Sequence, residues 1–109
     1  MKKKNKEPMF YLRARQTEKE YLVTACDEKI LGETLIEGDL ELYVNERFFG
    51  GDLVPLDKCL EELNRATSCN LIGFEIVNAA IENRIVSDLA VMWIDCPKNG
   101  RVGHVLRIR

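Results

Sequence analysis

LAVMWIDCPKNGRVGHVLRIR, residues 89–109, carries three signals in one run. Leu89 to Ile94 is almost unbroken apolar sequence, the pattern of a buried strand. Asn99-Gly100 follows, the dipeptide that favours a two-residue hairpin turn. Val102, His104, Leu106 and Ile108 then alternate with Gly103, Val105, Arg107 and Arg109. Period two marks a strand with one buried face. The stretch therefore predicts two antiparallel strands at the end of the chain, with the first set inward and the arginines outward.

Working upstream, Leu56, Leu60, Leu63 and Ala66 recur at three and four residues. That spacing predicts a helix starting near Pro55, a first-turn residue, with Asp57 complementing the helix dipole. Ile72, Ile76, Val77, Ala80 and Ile81 extend the apolar stripe, so helix is expected from about Pro55 to Arg84. Its weak point is Thr67 to Asn70, all mediocre helix formers. On this reading Asn70 caps a helix at a kink and Gly73 permits close packing.

Nearer the N-terminus, Phe10, Leu12 and Ala14 alternate with Tyr11, Arg13 and Arg15, and Tyr21 to Cys26 is rich in Val, Thr and Tyr. The pair reads as a hairpin across Gln16 to Glu20. Asp27 to Gly32 holds a bend with one helical turn. Gly38-Asp39 is a turn signal, Leu40, Leu42 and Val44 mark a third strand, and Phe48 to Gly51 reads as a loop. Strands, then helices, then strands, without a repeated βαβ unit, predict the α+β class: a mostly antiparallel sheet with helices packed on one face. Residues 9–109 are expected to form a single compact domain behind a disordered basic tail, residues 1–8.

The 109 residues are 46% hydrophobic and 31% charged, enough for a folded core without metal or disulfide staples. No apolar run reaches membrane-spanning length, and no apolar segment of a secretory signal follows the basic start. A cytoplasmic protein with no membrane partner is expected. Free thiols are then expected at Cys26, Cys59, Cys69 and Cys96. On one continuous helix Cys59 and Cys69 would stand about 15 Å apart, too far to bridge. Net charge is −2, unevenly spread: residues 1–15 carry net +5, residues 98–109 net +4 and residues 27–62 net −8.

His104 is the only histidine. It is a candidate general base or anion ligand, or more simply a rim imidazole with one satisfied hydrogen bond. Cys26 and Asp27 sit at a strand end, and Cys26 with His104 could form a thiolate–imidazole pair, though Asp27 and Glu28 oppose thiolate formation. Gly50-Gly51 lacks the phosphate-loop spacing and reads as a turn needing positive φ. Asp57, Glu61 and Glu62 read as a solvated helix face. No metal-ligand spacing and no cofactor motif is present. Arg13, Arg15, Arg107 and Arg109 fall on outward strand faces. If the strands are neighbours, they form one basic patch suited to RNA. Otherwise they are solvated positions guarding a sheet edge.

Several blocks together carry a family likeness. They are Ala25-Cys26-Asp27-Glu28-Lys29-Ile30-Leu31-Gly32, then Glu37-Gly38, the alternation Leu40 to Val44, Phe48-Phe49-Gly50-Gly51, Ala66 to Gly73, and Gly103-His104. In that order they resemble the small archaeal family catalogued as domain of unknown function 424, from about Phe10 to the C-terminus. The resemblance implies an archaeal cytoplasmic protein with a compact α+β domain, and it brings no activity, cofactor or catalytic residue. The Lys-rich tail and the longer stretch Met92 to Lys98 depart from the family's pattern.

The sequence is read as a non-enzymatic binding module, docking on RNA or a ribonucleoprotein through Arg13, Arg15, Arg107 and Arg109, with Asn70 as a further binding candidate. The alternative is a small enzyme or ligand-binding domain with a pocket near Cys26, Asp27, Asn70 and His104. A third reading has the acidic segment Asp27 to Glu62 meeting a protein partner.

Overall fold

The computed structural model describes residues 7–108. Its first hairpin pairs β1 (Met9–Gln16) with β2 (Tyr21–Asp27), in register from Phe10 opposite Asp27 to Gln16 opposite Tyr21. A 3-10 turn at Glu28–Ile30 leads to a separate two-stranded ribbon, β3 (Thr34–Glu37) and β4 (Leu40–Tyr43). Gly38, at φ 61°, makes the ribbon's turn, a backbone region that glycine enters without steric cost. Next comes α1 (Glu46–Phe49), where the Asn45 side chain accepts the Arg47 N–H at 2.8 Å. β5 (Asp52–Pro55), α2 (Leu56–Arg65), β6 (Ser68–Gly73), α3 (Glu75–Glu82), β7 (Met92–Cys96) and β8 (Gly100–Ile108) complete the chain.

The main sheet has six strands in the order β5-β1-β2-β6-β8-β7. Only β2 with β6 is parallel among its pairs, so the sheet is mixed and mostly antiparallel, and the domain is α+β. α2 and α3 cover one face. Phe10, Leu12, Val23, Ala25, Leu71 and Val105 meet Cys59, Leu63, Ile76, Val77 and Ala80 there. On the other face α1 and the β3–β4 ribbon cover one half only. They bury Cys26, Ile72, Ile94 and Val102 under Leu35, Val44 and Phe49. Fully burying side chains of this size contributes about 1.5–3 kcal/mol each.

The terminal strands pair antiparallel as the sequence predicts, but the connection is Pro97, Lys98 and Asn99, with Gly100 at φ 79° opening β8 opposite Cys96 in place of a two-residue turn. The long helix does not form. Its middle is β6, a central strand, because Leu71 and Ile72 are both buried on opposite faces of the sheet. A strand buried on both faces has a continuous apolar pattern that periodicity cannot tell from a buried helix. Asn70 is therefore a mid-strand residue and caps nothing. Cys59 and Cys69 lie on different elements, and all four cysteines are buried and outside any disulfide. β3 and β5, four residues each, carry no periodic signal in the sequence. Leu89, expected in a strand, is 96% exposed on a 3-10 turn. Gly50 and Gly51 have no positive φ. They are small because a Cβ would strike Glu46 O at 2.4 Å and Leu12 O at 2.3 Å.

Candidate functional site

The half of the sheet that α1 and the ribbon leave uncovered is the candidate site. Two cross-strand rows make its floor. One runs Arg13, Thr24, Asn70, Leu106, and the next runs Arg15, Leu22, Ser68, Ile108. Opposed residues in adjacent strands share a face, so all eight side chains stand on the same side. With Phe48, all of them but Ile108 border a groove of about 210 Å³. Leu106 is 57% and Ile108 71% exposed, large apolar side chains left facing solvent.

α1 forms the wall between covered and open halves. The Arg13 guanidinium donates to Arg47 O, and Thr24 Oγ1 donates to Phe48 O at 3.4 Å, so two sheet residues hold its C-terminal turn. The exposed Phe48 ring stands at the groove, while Phe49 turns inward and meets His104 edge-on at 6.5 Å between centroids. His104 Nε2 lies 3.0 Å from Asn70 Oδ1. Burial lowers the His104 pKa below the ordinary imidazole value. The Arg15 guanidinium makes no hydrogen bond or ion pair with the described residues, so it is available to a ligand.

The structure divides the four arginines. Arg13 and Arg15 flank the open groove. Arg107 stands opposite Cys69 on the helix-covered face, where Nη1 donates to Ile85 O and Nη2 to Ala66 O, each at 3.0 Å. Ala66 is the C-terminal cap of α2, and Ile85 lies just beyond α3. A cation there satisfies carbonyls at the negative ends of two helices. Arg107 is thus a structural clasp and no part of the basic patch. Arg109 and the Lys run at residues 2–6 lie outside the described residues. At the end of β8 the expected sense of the alternation is reversed, with Leu106 and Ile108 facing solvent and Arg107 on the covered face, because period two does not show which face is covered at a strand's end.

The predicted pocket is also divided. Asn70 and His104 do meet. Cys26 stands on the same face as His104, separated from it by Ile72 in the intervening strand. Its thiol is pushed up to about 12, first by burial and then by Asp27. That is far from the thiolate a nucleophile needs. Asp27 points to the opposite face. Its carboxylate accepts the backbone N–H groups of Phe74 and Glu75 through Oδ2 and of Ile76 through Oδ1, at 2.8–2.9 Å, and so caps α3 from another strand. Burial raises its pKa while the three N–H groups pull it back. Gly73 makes room, because a Cβ there would stand 2.3 Å from the Asp27 carboxyl carbon. Glu62, read as solvated, is buried. Tyr21, Lys58 and Arg65 surround its carboxylate, and the Tyr21 hydroxyl is the main cause of its lowered pKa.

Fold and site together define a small α+β domain built on a six-stranded mixed sheet, with half of one face left open beside two arginines. The chain belongs to the family described as "Protein of unknown function (DUF424)", whose model matches residues 15–105. It is similar in fold to an uncharacterized conserved protein from Methanopyrus kandleri known from a crystal structure. The two share 18% identity over 91% of this chain and 90% of that chain, with a TM-score of 0.70. No curated protein matches the chain. Among the described residues no helix is long and apolar enough to cross a membrane, and no three His, Cys, Asp or Glu side chains gather as a metal set.

Proposed function

We propose that the protein is a non-enzymatic binding module that takes single-stranded RNA, free or within a ribonucleoprotein, on the open half of its sheet, in the cytoplasm of an archaeon. The observation that carries this reading is the make-up of the groove. Arg13 and Arg15 stand along one side, the Phe48 ring, packed edge-to-face on Phe49, stays half-exposed at the groove, and Thr24, Ser68 and Asn70 put short polar groups on the floor. Single-stranded RNA is recognised by this division of labour: guanidinium groups meet phosphates, a ring or an arginine plane meets a base, and small polar side chains meet base edges. At about 210 Å³ the groove is smaller than the roughly 300–1,000 Å³ pockets that enclose small molecules, which favours a docking surface over a substrate cavity. The enzyme alternative is left with the Asn70–His104 contact, while the Cys26 thiol is held neutral and Asp27 is occupied with α3.

The test is a salt titration of single-stranded RNA binding. Affinity is expected to fall steeply with salt as counterions are released. Arg15→Ala is expected to weaken binding and to shallow the log–log slope by about 0.7, the value for one phosphate contact on a single strand. Phe48→Ala is expected to weaken binding with the slope unchanged. An absence of binding at low salt, or binding that ignores both substitutions, overturns the proposal.

A further inference from the structure

We infer that β4 is an open sheet edge and that it takes an extended basic segment of another protein, in which lysine or arginine alternates with apolar residues, as a third strand of the ribbon.

The backbone of the ribbon sets the edge. Thr34 pairs with Tyr43, Leu35 with Leu42, Ile36 with Glu41 and Glu37 with Leu40. Val44 N donates to Glu33 O at 2.9 Å, one step further along the same ladder. Donors along an antiparallel strand point alternately to the partner and away from it. Leu40, Leu42 and Val44 therefore turn their N–H groups to β3, and Glu41 and Tyr43 turn theirs outward. β3 is the only strand beside β4 among the described residues, and no described group bonds the outward backbone of Glu41 or Tyr43. The other side of the ribbon lies toward β7, where Glu37 accepts the Asp95 N–H at 3.0 Å. Outward N–H and C=O groups on an exposed strand are a template for one more strand.

The side chains choose that strand. Successive residues alternate faces, so Glu41 and Tyr43 stand on the solvent face, and Leu40 and Leu42 on the face where Leu35 is enclosed. Leu40 is 39% and Tyr43 51% exposed. An incoming strand sets one alternate row of side chains beside Glu41 and Tyr43 and the other beside Leu40 and Leu42. A cation suits the first row, because it pairs with the Glu41 carboxylate and lies over the Tyr43 ring. An aliphatic side chain suits the second. Glu41 makes no ion pair or hydrogen bond with the described residues, and residues 33–46 carry five carboxylates and no Lys or Arg. A second copy of this edge is a poor occupant, since it would lay one acidic strand on another. Lysine is a common guard of such edges. Acid in its place turns away acidic strands and leaves the edge open to a basic one.

The experiment titrates the full chain, labelled with nitrogen-15, with a capped peptide of alternating lysine and valine and with its glutamate–valine counterpart. Saturable binding of the lysine peptide is expected, with little binding of the glutamate peptide. Amide exchange at Glu41 and Tyr43 is expected to slow in the complex, because their outward N–H groups become strand donors, a change that contact between charges alone does not make. Glu41→Lys is expected to weaken the lysine peptide about three- to tenfold, as one attractive cross-strand pair becomes repulsive. Its thermal melting is expected to match the wild type, since Glu41 is exposed. No binding at millimolar peptide overturns the inference, as does equal binding of the two peptides. Binding without slowed exchange at Glu41 and Tyr43 overturns it as well.

Discussion

The two halves of the sheet's second face are built from the same strands and end in opposite states. In the covered half Cys26, Ile72 and Val102 lie under Leu35, Val44 and Phe49, nearly all fully enclosed. In the open half the same β2, β6 and β8 carry Leu22, Ser68, Leu106 and Ile108 with nothing described above them. The difference lies in the reach of α1 and the ribbon, which stop at the line of Phe49 and His104. Strand composition alone does not decide burial. Whichever segment lies over a strand decides it, so an apolar residue on one row is core and its neighbour two positions on is surface.

Substitution at Ile72 gives the sharpest break in that comparison. Ile72→Ala empties a fully buried site and is expected to cost about 2–5 kcal/mol in urea unfolding. Leu106→Ser, one row away on the open half, is expected to stay within about 0.5 kcal/mol of the wild type, as surface changes do. A comparable loss at both positions would mean that the open half is packed in solution.

A second contrast sets Arg107 against Arg15. Arg107→Ala strands two carbonyls at helix ends and is expected to lower stability by about 1–3 kcal/mol, with RNA affinity and salt slope unchanged. Arg15→Ala is expected to do the reverse. A binding defect in a folded Arg107→Ala protein would return that arginine to the patch.

The smallest effect is expected from acid. His104 has a lowered pKa in the folded protein because burial disfavours its charged form. The unfolded chain then binds the proton more readily, so the neutral ring's contribution is complete above the unfolded value near about 6.5 and is lost as pH falls below it. Stability measured from neutral pH downward is expected to decline more steeply for the wild type than for His104→Gln. Parallel curves would show that the ring is as well solvated in the folded state as in the unfolded.

What the sequence made legible was local. Asn99-Gly100 and Gly38-Asp39 name their turns without help from the rest of the chain, and both sit where hairpins turn. β6 was hidden because Leu71 and Ile72 are buried on opposite faces, which removes the alternation that marks a strand. Arg107 was misplaced because period two separates faces without saying which one a helix will cover. Asn70 and His104 were both singled out. Their contact depends on β6 lying beside β8, a neighbour relation written in no short stretch. Asp27 drew attention as a strand-end carboxylate, but its three donors lie 47 to 49 residues away, beyond any motif.

That separation also bears on how the molecule assembles. α3 has eight residues, fewer than the roughly 12–15 at which an isolated helix begins to persist in water. Phe74, at its cap position, has no side-chain oxygen with which to close the first turn. The missing acceptor arrives only when β2 has come alongside β6, so the start of α3 and the parallel pairing are one event. The entropy of closing a loop of nearly half the chain is spent before either is rewarded. The domain should therefore gain its order in a single late step, and a nascent chain that has emerged only as far as α2 should wait, without a native centre, for the second half to follow.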